Sequence, residues 1–174
     1  MKKDLFQLAV FLLCLSAFIS HCNVIEYVNE DPFYTDGGGL FNRPRFPLIK
    51  PYEAINYFSD FDENSNWVID FHLPPEQRDI SDYSIPFVER IAIENGVIMV
   101  HSPLVEKRLK PGEVDLHWFI IIPNKKIETG FEYEDEFLAY LETYGVQEPD
   151  WQDVFDIFHK FDLTWCLDWI PACQ

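Results

Sequence analysis

The chain has 174 residues, of which 13 are Lys or Arg and 30 are Asp or Glu, so its formal net charge at pH 7 is −17. Such a field repels nucleic acid and anionic lipid headgroups, which excludes binding to either through the folded surface. Aromatic residues make up 17% of the chain. Because acidic disordered chains are poor in aromatics, we expect a folded body with an acidic surface.

Residues 1–21 have the layout of a signal peptide. Two cationic residues, Lys2 and Lys3, precede a mostly apolar run over 5–19, and polar sequence follows. The run is short for a transmembrane helix, which needs roughly 20 apolar residues. It also lacks the polar residues at helical spacing that a buried N-terminal helix of a cytosolic protein would carry. We therefore expect export from the cytosol.

The end of this segment, Ile19 to Cys22, resembles the lipobox of bacterial lipoproteins, although His21 stands where a small residue is expected. This resemblance implies that Cys22 carries a lipid such as palmitate and that the protein is anchored in the cell envelope. Ordinary cleavage after Ala17 or Ser20 is the alternative, and it would release a soluble secreted or periplasmic protein.

Residues 22–45 are expected to form a flexible tether, because three glycines at 37–39 and several prolines interrupt regular pairing. The remaining residues, 46–174, are expected to form one α+β domain. At its start, Phe46, Leu48, Lys50 and Tyr52 alternate like the residues of a strand, and a short helix opened by Pro51 is the alternative.

A loop with oxygen-bearing side chains at every second position follows. Its residues are Asp60, Asp62, Asn64 and Asn66. This spacing begins like a calcium loop, but Ser65 stands at the glycine position and Phe71 stands where the closing glutamate belongs. We interpret the segment as a turn rich in Asp and Asn before a strand at 67–71, and calcium binding is the weaker alternative.

The pair Asn95-Gly96 predicts a hairpin over about 87–102, because both central residues of this turn adopt positive φ. The turn sets the register. The expected pairs are Arg90 with His101, Ile91 with Val100, Ala92 with Met99, and Ile93 with Ile98. Residues 114–122 form the next predicted strand, whose second half is apolar on both faces and therefore central in the sheet.

Two C-terminal helices complete the predicted antiparallel α+β arrangement. In the first, apolar residues recur at helical spacing and Gly145 provides the C-cap; they are Phe137, Leu138, Leu141 and Tyr144. The second is expected to begin at Asp150 as N-cap. Its inward residues are expected to be Val154, Phe155, Phe158 and Phe161.

Cys166 and Cys173 are expected to form a disulfide, because export places them in an oxidising compartment and Cys14 and Cys22 have other fates. Two free buried thiols are the alternative. The nearby pair Trp165 and Trp169 has helical spacing and either caps the core or forms an aromatic face for a ligand.

Catalytic candidates are few. Asp115 and His117 alternate on the predicted strand, and a carboxylate beside an imidazole can orient a general base. A dyad without a nucleophile or metal is incomplete, so we interpret the pair as the polar end of a strand. The four histidines of the body, at positions 72, 101, 117 and 159, are too scattered to resemble a zinc site, and no cofactor is expected.

The combination resembles the small lipoproteins common in bacterial genomes. The segments that carry the resemblance are Ser20–Cys22, Phe46–Tyr52, Trp118–Ile122 and Glu136–Leu138. It implies a membrane anchor and no particular activity. The sequence thus predicts a non-catalytic, lipid-anchored binding module. The alternatives are an immunity protein that neutralises a basic, envelope-acting toxin and, less favoured, a hydrolase that uses Asp115 and His117.

Overall fold

The structure is a computed structural model that describes residues 31–35, 43–57, 66–103 and 114–173. Its helices are α1 (Pro32–Thr35), α2 (Glu134–Glu142) and α3 (Val154–Thr164). Its strands are β1 (Arg45–Pro47), β2 (Glu53–Asn56), β3 (Trp67–Asp70), β4 (Ser84–Ile85), β5 (Arg90–Glu94), β6 (Val97–His101), β7 (Trp118–Ile122), β8 (Ile127–Phe131) and β9 (Gln152–Asp153). Short 3₁₀ helices cover Pro75–Gln77, Pro123–Lys125 and Pro171–Cys173.

The strands form two antiparallel sheets. One has four strands in the order β1-β2-β3-β4, and the other has five in the order β8-β7-β6-β5-β9. This arrangement confirms the predicted α+β class, with its central hairpin and two C-terminal helices. The division into two sheets was not predicted.

The hairpin register agrees with all four predicted pairs, Arg90 with His101, Ile91 with Val100, Ala92 with Met99 and Ile93 with Ile98. The turn residues Asn95 and Gly96 have φ values of 52° and 77°. Positive φ at both positions matches the twist of the strands that they join. Local sequence therefore predicts this element correctly.

The next strand is shorter than predicted. β7 begins at Trp118, so the strand expected over 114–122 loses its first four residues. The backbone of His117 still pairs with both neighbours, since its N–H donates to Phe131 and its carbonyl accepts from Ser102. β7 lies between β6 and β8 with Phe119 to Ile122 buried, which confirms its central position.

The strand predicted from Phe46 to Tyr52 is correct only over Phe46 and Pro47, where β1 ends. The alternative of a helix opened by Pro51 is wrong, because strand β2 begins at Glu53. The chain makes a tight turn here, in which Leu48 N donates to Tyr52 O and Tyr52 N donates to Ile49 O, at 3.0 Å each. The Lys50-Pro51 peptide bond is cis. Because proline has no N–H to donate to a ladder, the chain turns and returns as β2.

The five-stranded sheet is buried on both faces. One face meets the four-stranded sheet and α3, and its residues include Ile91, Ile98, Val100, Phe119 and Ile121. The other face meets α2, and its residues include Ala92, Met99, Ile120 and Ile122. Strand residues alternate between the two cores, as the two-residue period of a β-strand requires.

Helix α2 has an acidic first turn. Its C-cap is Thr143 and not the predicted Gly145, which follows two residues later with φ of 78°. Helix α3 starts later than predicted. Its N-cap is Asp153, whose carboxylate accepts from two amides of the first turn, and Asp150 lies before it. The chain stays extended up to Asp153 because Gln152 and Asp153 pair with β5 as strand β9. Phe155 is only half-buried, whereas Val154, Phe158 and Phe161 are buried as predicted.

Pro32–Thr35, within the expected tether, forms α1, and β1 begins at Arg45. The tether itself stays a prediction.

Candidate functional site

Asp115 and His117 lie just before β7. The distance from Asp115 Oδ2 to His117 Nε2 is 3.6 Å, which is too long for a hydrogen bond that would orient the imidazole. The other ring nitrogen, Nδ1, is buried and has no hydrogen-bond partner among the described residues. The two side chains are therefore close together without the geometry of an oriented general base.

His101, on β6, has a more specific environment. Its Nδ1 lies 2.7 Å from a Glu89 carboxylate oxygen and 3.3 Å from Arg90 Nη2, and its ring packs on Trp118 at a centroid distance of 4.3 Å. Burial, followed by the charge of Arg90, lowers the pKa of His101, although Glu89 acts in the opposite direction. The environment therefore favours the neutral ring.

The other metal candidates are not brought together. His72 packs edge-on against Tyr52, and His159 packs edge-on against Phe155 on the exposed side of α3. Within the described ranges, no group of three or more His, Cys, Asp or Glu side chains could hold a metal ion.

Most of the calcium-like loop and the lipidation site fall outside the described residues, namely Asp60, Asp62, Asn64 and Cys22. Asn66 is described, and its side-chain oxygen accepts from Phe87 N at 3.0 Å. This bond ties the start of β3 to the segment before β5.

Cys166 and Cys173 are at disulfide distance, with their Cα atoms 5.6 Å apart and their sulfur atoms bonded. The bond closes a short loop after α3. Leu167 and Ile170 of this loop are buried in the core between the sheets, while Asp168 points outward.

An open cleft of about 460 Å³ lies beside this loop. We call it the acidic cleft. Its charged lining consists of three carboxylates, Glu94, Asp150 and Asp168. Two aromatic side chains, Tyr34 and Trp169, share the lining with aliphatic and amide groups, and none of the described lining residues is Lys, Arg or His.

Hydrogen bonds hold the walls of the acidic cleft. Glu94 at the end of β5 accepts from Asp150 N at 2.9 Å. On the disulfide loop, Trp169 Nε1 donates to Pro47 O at 3.0 Å. Asp168 accepts from the nearby Lys160 ammonium at 2.9 and 3.0 Å, so its charge is partly compensated. Glu94 and Asp150 supply the least compensated negative charge of the lining.

Tyr34 of α1 also lines the cleft, and its hydroxyl accepts from Lys50 N at 3.3 Å. The ammonium of Lys50 is engaged by Asp31 at 2.7 Å, and this bond lowers the pKa of the Asp31 carboxyl. The cation beside the cleft is therefore already paired.

Sequence reasoning missed the acidic cleft because its lining comes from five separate segments of the chain. The one local signal was the pair of tryptophans near the C-terminus. The structure separates them, since Trp169 lines the cleft whereas Trp165 is 55% exposed and packs on Phe161 at the end of α3.

A second feature that sequence reasoning missed is a buried carboxylate. Glu128 on β8 is 2% exposed. Its Oε1 accepts from Tyr52 OH at 2.7 Å, His72 N at 2.6 Å and Leu73 N at 3.0 Å. The strand on which it lies belongs to the five-stranded sheet, whereas its partners adjoin the four-stranded sheet. Glu128 therefore links the two sheets.

The second oxygen of Glu128 faces Arg78. Arg78 Nη1 lies 4.0 Å from Glu128 Oε2, and both side chains are at least 99% buried. The guanidinium stacks over Phe71 and Tyr83. Burial and then the bond to Glu128 raise the pKa of Tyr52, so this hydroxyl stays protonated as a donor.

No protein-family model, curated protein or solved structure matches this chain. Among the described residues, none of the helices has the length and apolar character needed to cross a bilayer.

Proposed function

We propose that this chain is an exported, lipid-anchored envelope protein that acts as a non-catalytic binding module, and that its acidic cleft holds a basic side chain of a protein partner. One observation carries the proposal: three carboxylates and two aromatic rings line a single cleft without a basic residue among its described lining. The lipid on Cys22 would place the body at a membrane face, and the tether would let it reach its partner.

A Lys or Arg side chain fits this lining chemically. Two unit charges 4 Å apart attract by about 4 kcal/mol at the effective dielectric of a protein surface. Trp169 and Tyr34 add faces on which an aliphatic stem or a guanidinium can pack, and a cation over an aromatic ring contributes about 0.5–2 kcal/mol. Loss of hydration offsets part of both contributions. A single inserted residue therefore gives modest affinity, and the rest of the partner surface must add to it.

The net charge of −17 supports the same partner class. A strongly acidic surface speeds the encounter with a basic protein, and added salt screens this attraction. An immunity protein for a basic, envelope-acting toxin is the second candidate, favoured by this charge because toxin capture depends on fast association. A tight complex whose association rate falls steeply with salt would favour it over a general binding module.

The test measures the affinity of hexalysine and hexaarginine peptides for the purified protein by calorimetry at about 20 and 200 mM salt. The cleft variant combines Glu94→Gln with Asp150→Asn. The matched control, Glu134→Gln with Glu142→Gln, removes the same charge from exposed positions of α2. We expect the cleft variant to weaken binding about tenfold and the control to weaken it less than about twofold. Equal losses in the two variants would show that only net charge matters and would refute the assignment of the cleft.

A further inference from the structure

One wall of the acidic cleft is the loop closed by the disulfide. Asp168, Trp169 and Pro171 line the cleft, and all three lie between Cys166 and Cys173. The loop therefore contributes one of the three carboxylates and one of the two aromatic rings.

Non-covalent contacts also hold this wall, since Ile170 N donates to Leu167 O and Cys173 N donates to Ile170 O, at 2.9 Å each. The Lys160–Asp168 ion pair is exposed, with 43% and 78% of the two side chains accessible, and exposed ion pairs contribute little to holding a conformation. Trp169 Nε1 donates to Pro47 O, and the side chain packs against the core. Leu167 and Ile170 anchor the backbone in the core, whereas Asp168 and Pro171 beside them are exposed. The covalent bond closes the loop into a ring around these side chains, and reduction removes this constraint alone.

We propose that the Cys166–Cys173 disulfide keeps this wall in its binding geometry, so that the acidic cleft takes a basic partner in the oxidised protein and loses most of that affinity on reduction. The inference rests on the proposed function. Because disulfides form after export and are rare in the cytosol, oxidation would couple binding competence to arrival in the envelope.

The chemical step is a two-electron thiol–disulfide exchange with a dithiol. One thiolate of the dithiol attacks a cysteine sulfur, the Cys166–Cys173 bond breaks, and the second dithiol sulfur closes the reagent into a disulfide. The two cysteines become thiols, each with one added electron and one added proton. Both are partly exposed, so a small dithiol can reach them. Once the ring is open, the loop samples more conformations, and binding of a partner must order the loop again at a cost in free energy.

The experiment measures hexalysine affinity for three samples: oxidised wild type, wild type reduced with dithiothreitol, and a Cys166→Ser/Cys173→Ser double variant. We expect binding to be about tenfold weaker in the last two, with far-UV circular dichroism unchanged and with affinity restored on reoxidation of the wild type. Equal affinity in all three would overturn the inference while leaving the proposed function intact. No binding by the oxidised protein would instead refute the proposed function itself.

A further control distinguishes a local effect of the disulfide on the cleft wall from a general effect on the stability of the protein. Under the reducing conditions, unfolding in urea, followed by tryptophan fluorescence, should remain cooperative. If reduction unfolds the whole body, the disulfide is a general stabiliser and the proposal is overturned. If the double variant does not fold, the reduced and reoxidised wild type decide the question alone.

Discussion

Replacement of Glu128 should have the largest effect on stability among the polar residues described above. Its Oε1 accepts three hydrogen bonds at 2.6 to 3.0 Å, and its Oε2 faces the buried guanidinium of Arg78. Removal of one member of a buried charge pair typically costs about 3–5 kcal/mol, because the other charge stays buried and uncompensated. Hydrogen bonds to a charged group contribute about 1.5–3 kcal/mol each, although such losses are not additive.

Glu128→Ala should therefore lower the free energy of unfolding by about 4–5 kcal/mol. Glu128→Gln keeps an oxygen for the three donors but still leaves the Arg78 charge uncompensated, so we expect a loss at the lower end of the range for a broken buried pair, about 3 kcal/mol. Unfolding in urea, followed by tryptophan fluorescence, measures both. Glu148→Gln is the control, since Glu148 is exposed and such changes stay within about 0.5 kcal/mol.

A double variant tests the contribution of the buried charge pair directly. Arg78→Met together with Glu128→Gln leaves no buried charge, so its stability should exceed that of Glu128→Gln alone by about 1 kcal/mol or more. If Glu128→Gln is as stable as the Glu148→Gln control, the buried pair does not contribute and the reasoning fails.

The remaining predictions concern pH and anchoring. Because burial lowers the pKa of His101, the unfolded chain binds more protons, and the stability that His101 contributes is present above about pH 6.5 and lost on acidification. His101→Gln should flatten the decline in unfolding free energy between about pH 6.5 and 5, and a decline as steep as that of the wild type would contradict this. If Cys22 is lipidated, intact-mass analysis of the membrane fraction should find a lipid-sized increment that Cys22→Ala abolishes. A soluble protein beginning at Phe18 or His21 would refute anchoring.

Much of the fold could be predicted because its signals are local. The Asn95-Gly96 turn needs two positive φ values, and it alone places all of the hairpin pairs in register. Apolar residues at helical spacing predict α2 and α3. The N-cap prediction failed at Asp150 because pairing of residues 152–153 with β5 keeps the chain extended, and a strand partner more than 50 residues away leaves no local trace.

The candidate sites depend much more on tertiary structure. Composition and charge alone determine that the surface is acidic, and the N-terminal pattern predicts export. Nothing local marks Glu128 as buried, because its partners Tyr52 and Arg78 lie at least 50 residues away along the chain.

By itself, the sequence determined the α+β class, the hairpin with its register, the central strand and the pairing of Cys166 with Cys173, since each depends on neighbouring residues or on a small set of like residues. Only the tertiary structure decided that there are two sheets, that a charge pair is buried between them, and that five separate segments meet to form the acidic cleft. The physical reason is that these features come from contacts between residues far apart in the chain, which the global packing of the core selects and no local pattern encodes.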